Sequence, residues 1–333
     1  MGVVSRVVSW SALTKVDLRP ATLDDAAIVA DLEATRDPED PRDPQMLRFW
    51  WTMASVDEET IRLVAVRGGS AVAFVGAGHK RGETTATRFG SIRAILHSDG
   101  WSEAGYSNLV STGEAWLRSE HVTTAVARVG ADFEREVAVL AGLGYREVRR
   151  HRLSELDLVA GRERLLANAV RHRQHVTGQG VRLLTLDGDT DPDRITKLYD
   201  LTTEADEDIP TTVPWHRIPF DLWKSINFEN PGIRQDRFWI AREGDAIVGV
   251  SMLQFPPMRG VPWTALTGTS RAVRGRGIAR ALKYETVAQA INLGFERIRT
   301  GNDNANAPIL HLNKEMGYRF VRELIELHRD LQA

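Results

Sequence analysis

The 333-residue sequence predicts an α/β (α+β) protein made of two tandem copies of one fold. Three observations lead to this prediction. The chain is longer than one typical domain, strand-like runs alternate with helix-like runs, and several landmarks recur at a nearly constant distance. Hydrophobic residues make up 42% and charged residues 26% of the chain, which is the balance of a globular protein.

The recurrence appears at two landmarks. Strand-like runs joined by a tight glycine turn surround Arg67 and again Arg242, 175 positions further on. The run Gly-Tyr-Arg begins at Gly144 and again at Gly317, 173 positions further on. Since the two offsets agree, we expect an N-terminal copy, a linker of helix and turn, and a C-terminal copy, at residues 16–158, 159–180 and 181–333.

Composition excludes several classes of function. The formal net charge of -2 provides no basic field, so we expect no nucleic-acid partner. The absence of cysteine excludes disulfides, thiolate metal sites and cysteine nucleophiles. No apolar run approaches the about 20 residues of a membrane helix. The first ten residues lack a secretory core and suggest a loose or docked extension. We therefore expect a cytoplasmic protein with no membrane partner.

Two histidines of the linker could suggest a metal site. His172 and His175 lie three apart among arginines, with no adjacent carboxylate. This pattern favours a solvated helix end over a set of metal ligands, and we expect no metal.

The most informative stretch is a basic, glycine-rich turn that follows an extended run and precedes a helix-forming run. It reads Arg274-Gly275-Arg276-Gly277-Ile278-Ala279, followed by Arg280. Strand, turn and helix in this order present free backbone N–H groups and the positive end of a helix dipole to a phosphate. The glycines allow close approach, and the arginines add positive charge. The stretch predicts a site for a phosphate-bearing cofactor.

Spacing excludes two common phosphate-binding motifs. The chain contains no Gly-x-x-x-x-Gly-Lys-Ser/Thr run. A dinucleotide motif would need a third glycine where Arg280 stands, and it would lie near the start of a βαβ domain.

The turn resembles motif A of the GNAT superfamily of N-acetyltransferases, Arg/Gln-x-x-Gly-x-Gly/Ala, which holds the diphosphate of acetyl-CoA. Arg274, Gly277 and Ala279 fill its defining positions. A second stretch resembles motif B: a strand-like run at 295–300, an Asn-rich loop, a helix at 307–316 and a final Gly-Tyr. Asn306 matches the asparagine at the head of that helix, which in the family commonly contacts the cofactor arm or the substrate. It also suits a helix N-cap.

The resemblance implies two GNAT folds, each a mixed, mostly antiparallel sheet flanked by helices and splayed at the acetyl-CoA site. The N-terminal copy departs from motif A, because Ser102 stands where Arg274 stands and Ser107 where Ala279 stands. Glu103 places negative charge beside the expected diphosphate. We therefore expect a degenerate cofactor site in the N-terminal copy and one acetyl-CoA, as co-substrate, in the C-terminal copy.

The chemistry implied is acetyl transfer to an amine. In the family a backbone N–H of the strand before motif A contacts the thioester oxygen, which makes Thr267, Gly268 and Thr269 the candidates here. Gly268 within a strand predicts a bulge that splays the sheet. Many family members carry a tyrosine at the position of Asn313, which can hydrogen-bond a thiolate but donates no proton. Either the proton donor is then another group, such as Tyr318, Tyr284 or water, or the thiolate leaves unprotonated.

The acceptor side is expected in the region after the first helix of the C-terminal copy. An acidic run covers residues 204–208, and we select Asp208 as amine binder or base because prolines stiffen the loop that follows. His216 is the alternative base, and an aromatic wall is expected to include Trp223. The acceptor is a small primary amine, such as an amino sugar, an antibiotic, a polyamine or an amino-acid derivative. The enzyme is expected to be a monomer or a homodimer.

Two alternatives remain at this stage. The chain could be a non-catalytic acyl-CoA-binding or sensor protein, because the tyrosine is missing. It could also resemble the two-copy mycothiol-synthase type of acetyltransferase.

Overall fold

The computed structural model describes residues 7–10, 13–83 and 85–332. The N-terminal extension expected from the sequence lies partly outside these residues. The strands are β1 (Val7–Trp10), β2 (Leu13–Asp17), β3 (Arg19–Pro20), β4 (Glu58–Arg67), β5 (Ser70–Lys80), β6 (Phe89–Leu96), β7 (Thr124–Gly130), β8 (Arg146–Asp157), β9 (Arg182–Thr185), β10 (Phe238–Glu243), β11 (Ala246–Gln254), β12 (Trp263–Thr269), β13 (Arg297–Asp303) and β14 (Arg319–Asp330).

Nine α-helices lie within the described residues, and each is too short or too polar to cross a bilayer. They are α1 (Ala26–Arg36), α2 (Pro44–Asp57), α3 (Glu103–Ser119), α4 (Glu134–Gly142), α5 (Arg162–Thr177), α6 (Arg194–Glu207), α7 (Phe220–Phe228), α8 (Ile278–Asn292) and α9 (Ala307–Met316). The predicted α/β class with mixed sheets flanked by helices is confirmed.

The chain divides into two compact units. Unit 1 contains residues 1–151, 257–260 and 322–333, and unit 2 contains residues 152–256 and 261–321. The segment expected to be a linker helix is α5, and it belongs to unit 2.

Unit 1 holds a mixed sheet with the strand order β3-β4-β5-β6-β7, followed by the 322–330 part of β14. The end of the chain therefore completes the sheet of the first unit, with Leu324 opposite Gly130 and Asp330 opposite Thr124 in antiparallel register. Successive residues of β5 point to opposite faces of the sheet. Val75 packs with α3, and Phe74 packs with Trp51 of α2.

Unit 2 holds the 152–157 part of β8 and then β13, β12, β11, β10 and β9, in that order. Leu165 of α5 and Ile291 of α8 share one buried cluster. Leu198 of α6 and Trp223 of α7 share another with Val250 of β11. Helices thus cover both faces of this sheet as well.

Both predicted hairpins are confirmed. β4 and β5 are joined through Gly68 and Gly69, which have φ of 57° and 85°. β10 and β11 are joined by a turn in which Gly244 has φ of 55°. Each hairpin has a shift in strand register close to the recurring arginine. The shift lies between Ala65 and Val66 in unit 1 and between Ala241 and Arg242 in unit 2.

Candidate active site

The predicted strand, glycine-rich turn and helix are confirmed in unit 2. β12 ends at Thr269, a short 3-10 turn spans Arg271–Val273, and α8 begins at Ile278. Gly275 and Gly277 have φ of 80° and 84°, in the left-handed region that favours glycine. The glycines are therefore required by the shape of the turn.

The N-terminus of α8 is left open to a ligand. Gly277 is its N-cap and has no side chain to accept from the first-turn N–H groups. The corresponding helix of unit 1, α3, has Ser102 as N-cap, and its hydroxyl accepts from the N–H of Gly105 at 3.1 Å. A side chain therefore caps the N-terminus of α3, whereas no side chain of the N-cap residue caps the N-terminus of α8.

The arginines around the turn are paired with carboxylates of unit 2. Arg276 contacts Glu243 at 2.8 Å, and Arg280 contacts Glu315 at 2.6 Å. These arginine side chains are 31% and 37% exposed, so the pairs lie at the surface and contribute little to stability. Their guanidinium groups can exchange these partners for a phosphate at small cost.

Asp208, predicted to bind or deprotonate the acceptor, is paired with the same turn. It is the C-cap of α6, and its carboxylate accepts from Arg271 at 2.8 Å and from Arg274. These two arginines hold the pKa of Asp208 at about 2. Glu207 adds a second contact to Arg271, at 3.0 Å. The acidic run thus lies beside the arginines of the turn.

The strands beside the turn are open in unit 2. β12 and β13 run parallel and pair at Trp263 and Arg299, and no further register pair joins them among the residues described. In unit 1 the equivalent strands β6 and β7 continue from Phe89 opposite Thr124 through to Ile92 opposite Ala127. Of these two strand pairs, as far as the structure describes them, the one in unit 2 therefore leaves backbone unpaired where a cofactor arm could enter.

The bulge predicted at Gly268 is wrong in its position. The register of β12 against β11 shifts between Met252 and Leu253, whose partners are Leu266 and Thr264, while Gly268 pairs regularly with Val250. Gly268 is needed for another reason: a Cβ added to it would lie 2.9 Å from the Cβ of Ala205. The missing side chain lets α6 approach β12.

The other two β12 candidates differ from each other. The Thr267 hydroxyl is 2.9 Å from that of Ser251, a fully buried residue, so its side chain has a partner. Thr269 is half-buried and ends the strand.

Three buried polar atoms near the turn and β12 have no hydrogen-bond partner among the described residues: Thr264 Oγ1, the Tyr318 hydroxyl and Arg280 Nε. Burial raises the pKa of Tyr318, and its hydroxyl lies near that of Thr264 without reaching hydrogen-bond geometry. Unpaired buried polar groups are costly. Their presence fits a site that a polar ligand completes.

Asp206 is a site residue that the sequence analysis did not select. It follows Ala205, the residue in contact with Gly268, on α6. Burial raises its pKa to about 6, and no hydrogen bond to its carboxylate was found among the described residues. A carboxylate with this pKa suits a general base near neutral pH. No local pattern distinguishes Asp206 from the other acidic residues of the run 204–208. Which of them is removed from water depends on how α6 packs against the sheet.

The remaining acceptor-side residues are divided between surface and core. His216 is exposed in the segment between α6 and α7. Trp223, expected in an aromatic wall, is 4% exposed and packs against Tyr199 and Phe228 in the core. Trp223 therefore belongs to the core and not to the surface of a pocket.

The predicted helix of the second motif is confirmed as α9. Asn306 is its N-cap and accepts from the N–H of Ile309 at 3.5 Å, and Gly317 ends it with φ of 98°. Asn313 on this helix is buried and donates to Asn302 Oδ1 at 2.7 Å. Tyr284, a candidate proton donor, stacks on His172 of α5.

Lys283 is the second residue that the sequence analysis missed. It lies on α8, is 1% exposed, and donates to Asn313 Oδ1 at 2.5 Å. A signal was present, because Lys283 shares its helix face with Val287 and Ala290, four and seven residues on. A lysine on the apolar face of a helix lies either at the exposed border of that face or with its ammonium buried. Only the tertiary packing decides between these two positions.

No group of three or more histidine or acidic side chains in the described part of the chain is arranged to hold a metal ion.

Comparisons with known proteins agree with this geometry. Residues 195–318 match the model of the acetyltransferase (GNAT) family. A GCN5-related N-acetyltransferase from Sphaerobacter thermophilus is 21% identical, with a TM-score of 0.64 over 94% of this chain and 95% of that one. A tandem GNAT protein from the clavulanic acid biosynthesis pathway is 15% identical, with a TM-score of 0.74 over 95% of this chain and 98% of that one. Both similarities concern the fold. No curated protein matches the sequence.

Proposed function

We propose that this chain, a GNAT-family acyltransferase, transfers an acetyl group from acetyl-CoA to the amine of a small molecule. Its acetyltransferase domain is the part that matches the family model, residues 195–318. One observation supports this most strongly. The N-terminus of α8, capped by Gly277 without a side chain, opens beside the unpaired stretch of β12 and β13. Backbone N–H groups there suit a diphosphate, and the open strands suit an extended cofactor arm.

We assign the following roles in cofactor binding to residues of unit 2. The N–H groups of Ile278, Ala279 and Arg280 begin α8 and would hold the diphosphate, with Arg274, Gly275 and Arg276 around them. On β12, the backbone of Gly268 and its two threonine neighbours would orient the thioester carbonyl. Asn306 would contact the cofactor arm or the acceptor.

For the acceptor we propose Asp206 as the base that takes a proton from the amine. Its position beside the contact of α6 with Gly268 places it near the strand that would hold the thioester. Asp208 keeps an electrostatic role through Arg271 and Arg274, because a carboxylate with a pKa of about 2 is a weak base. His216, which is exposed, would contact acceptors that enter past α7.

The first test is stoichiometric. Isothermal titration of the full chain with acetyl-CoA should give one tight site per chain, because α3 of unit 1 is capped by Ser102 and its strands β6 and β7 are paired where unit 2 is open. Release of free thiol with a panel of small amines then identifies the acceptor class. Two tight sites would contradict a degenerate first copy, and no site would contradict the proposed function.

A second prediction concerns Asp208. Acetyl-CoA must compete with this carboxylate for Arg271 and Arg274, so Asp208→Asn should lower the Kd for acetyl-CoA by about two- to fivefold. The measurement is titration at low and high salt, since the gain should shrink as salt screens charge. Asp236→Asn is the control, because Asp236 forms a similar exposed pair with Arg234. Equal effects from the two substitutions would show that Asp208 does not compete with the cofactor.

A further inference from the structure

The side chain that the proposed reaction has not yet used is the buried ammonium of Lys283. It lies 2.5 Å from Asn313 Oδ1 and 4.8 Å above the ring of Tyr318. No carboxylate of the described residues forms an ion pair with it. An ammonium has three N–H donors, and one acceptor is found here.

Such a group is expensive to bury. Removing an ammonium from water costs several kcal/mol unless a charge compensates it. A methionine or leucine would fill the same space between α8 and α9 without this cost. Packing alone therefore gives no reason for a lysine at this position.

A chain of hydrogen bonds connects the ammonium to the open strands. Asn313 donates through Nδ2 to Asn302 Oδ1 at 2.7 Å, which leaves its own Oδ1 for Lys283. Asn302 lies on β13, in the stretch beyond the pair of Trp263 and Arg299. The chain of contacts thus leads from the buried nitrogen to the edge where the cofactor arm is proposed to enter.

We propose that Lys283 donates the proton to the sulfur that leaves when the acetyl group is transferred, with Asn313 as the residue that positions it. This inference rests on the proposed function. The acceptor nitrogen forms a bond to the acetyl carbon, and the carbon–sulfur bond breaks with its electron pair on sulfur. One N–H of Lys283 then protonates the sulfur, and the acceptor proton passes to Asp206. Asp206 afterwards releases this proton to water and the neutral Lys283 takes one up, so the cycle has no net proton change.

The acidity of Lys283 suits this step. An ordinary lysine, with a pKa of about 10.4, holds its proton more tightly than a thiol, with about 8.5. Burial lowers the pKa of Lys283 to about 7, so transfer to a thiolate becomes favourable. The titratable group facing it is Tyr318. The ionised neighbours along α8, Arg280 and Glu285, are paired with Glu315 and Arg173.

The test needs no acceptor. CoA is bound to the wild-type chain and to Lys283→Met, and the ultraviolet absorbance of its thiolate is followed against pH. Lys283 and the thiol should titrate as a coupled pair: while the lysine keeps its proton, part of the thiolate absorbance should appear about one to three pH units below the thiol pKa of Lys283→Met. Lys314→Met is the matched control, since it removes the same charge from an exposed position of α9 next to Asn313.

Asn313→Asp provides a second variant in case Lys283→Met does not fold. A carboxylate at this position would neutralise the ammonium, so the pKa of the bound thiol should rise toward that of free CoA. A thiol pKa equal to that of the wild type in either folded variant overturns the proposal. Loss of CoA binding in Lys283→Met alone also overturns it, because Lys283 would then be a binding residue. Failure of the wild type to bind CoA contradicts the proposed function instead.

Discussion

Gly277→Glu is expected to abolish acetyl-CoA binding, with a rise in Kd of at least about a hundredfold. The substitution places a side chain and a negative charge at the open N-terminus of α8, where backbone N–H groups are proposed to hold a diphosphate. Each charge-assisted hydrogen bond contributes roughly 1.5–3 kcal/mol, so losing two of them accounts for this factor. Repulsion between the new carboxylate and the phosphates adds to it.

Backbone strain must be separated from this effect. Gly277 has φ of 84°, so any side chain there is strained. Gly294, which follows the other end of α8, has φ of 85° and open space around it. Gly294→Glu therefore carries the same strain and charge, and it should bind acetyl-CoA as the wild type does. Calorimetric titration and thermal unfolding of both variants make the comparison, and equal losses of binding would place the diphosphate elsewhere.

Asp206→Asn is expected to lower kcat/KM by about a hundredfold or more, which is the usual contribution of a general base. Only the carboxylate form can accept a proton, and burial raises its pKa to about 6. Activity of the wild type should therefore rise as the pH increases through about 6, and this rise should disappear in the Asn variant. The measurement is thiol release against pH, with the amine that gives the highest rate.

Asp200→Asn is the control for this change. Asp200 lies on the same helix, is exposed, and pairs with Arg217 at 3.2 Å. It should leave both the rate and the pH profile unchanged. If Asp206→Asn retains the wild-type profile, the group that titrates is another one, and His216 becomes the next residue to substitute.

Much of the site could be predicted because short-range chemistry encodes it. Glycines at 275 and 277 permit the left-handed turn before α8. Asn306 and Gly317 mark the two ends of α9, as a side-chain cap and a left-handed residue. These signals lie within a few residues of the structure that they determine, so the sequence predicts them without knowledge of packing.

The features that the sequence did not predict depend on interactions between distant residues. Asp208 and Arg274 are 66 residues apart, and their pairing brings the acidic run beside the glycine-rich turn. The bulge was expected at the glycine, yet the register shifts opposite Met252 and Leu253. Gly268 instead allows Ala205 of α6 to approach β12. The sequence pattern of a strand does not predict such a contact with a distant helix. Trp223 was expected in an aromatic wall on the acceptor side and lies in the core.

The sequence by itself determined the repeated α/β fold, the two hairpins, and the strand, turn and helix of the proposed phosphate site, because turns, caps and alternating apolar residues are local properties. The tertiary structure alone decided that residues 322–330 complete the sheet of unit 1, that β12 and β13 separate after one pair, that Asp206 is partly buried, and that Lys283 is fully buried. Strand pairing and desolvation are set by which distant segments meet, and the pKa values of the two buried groups follow from that packing.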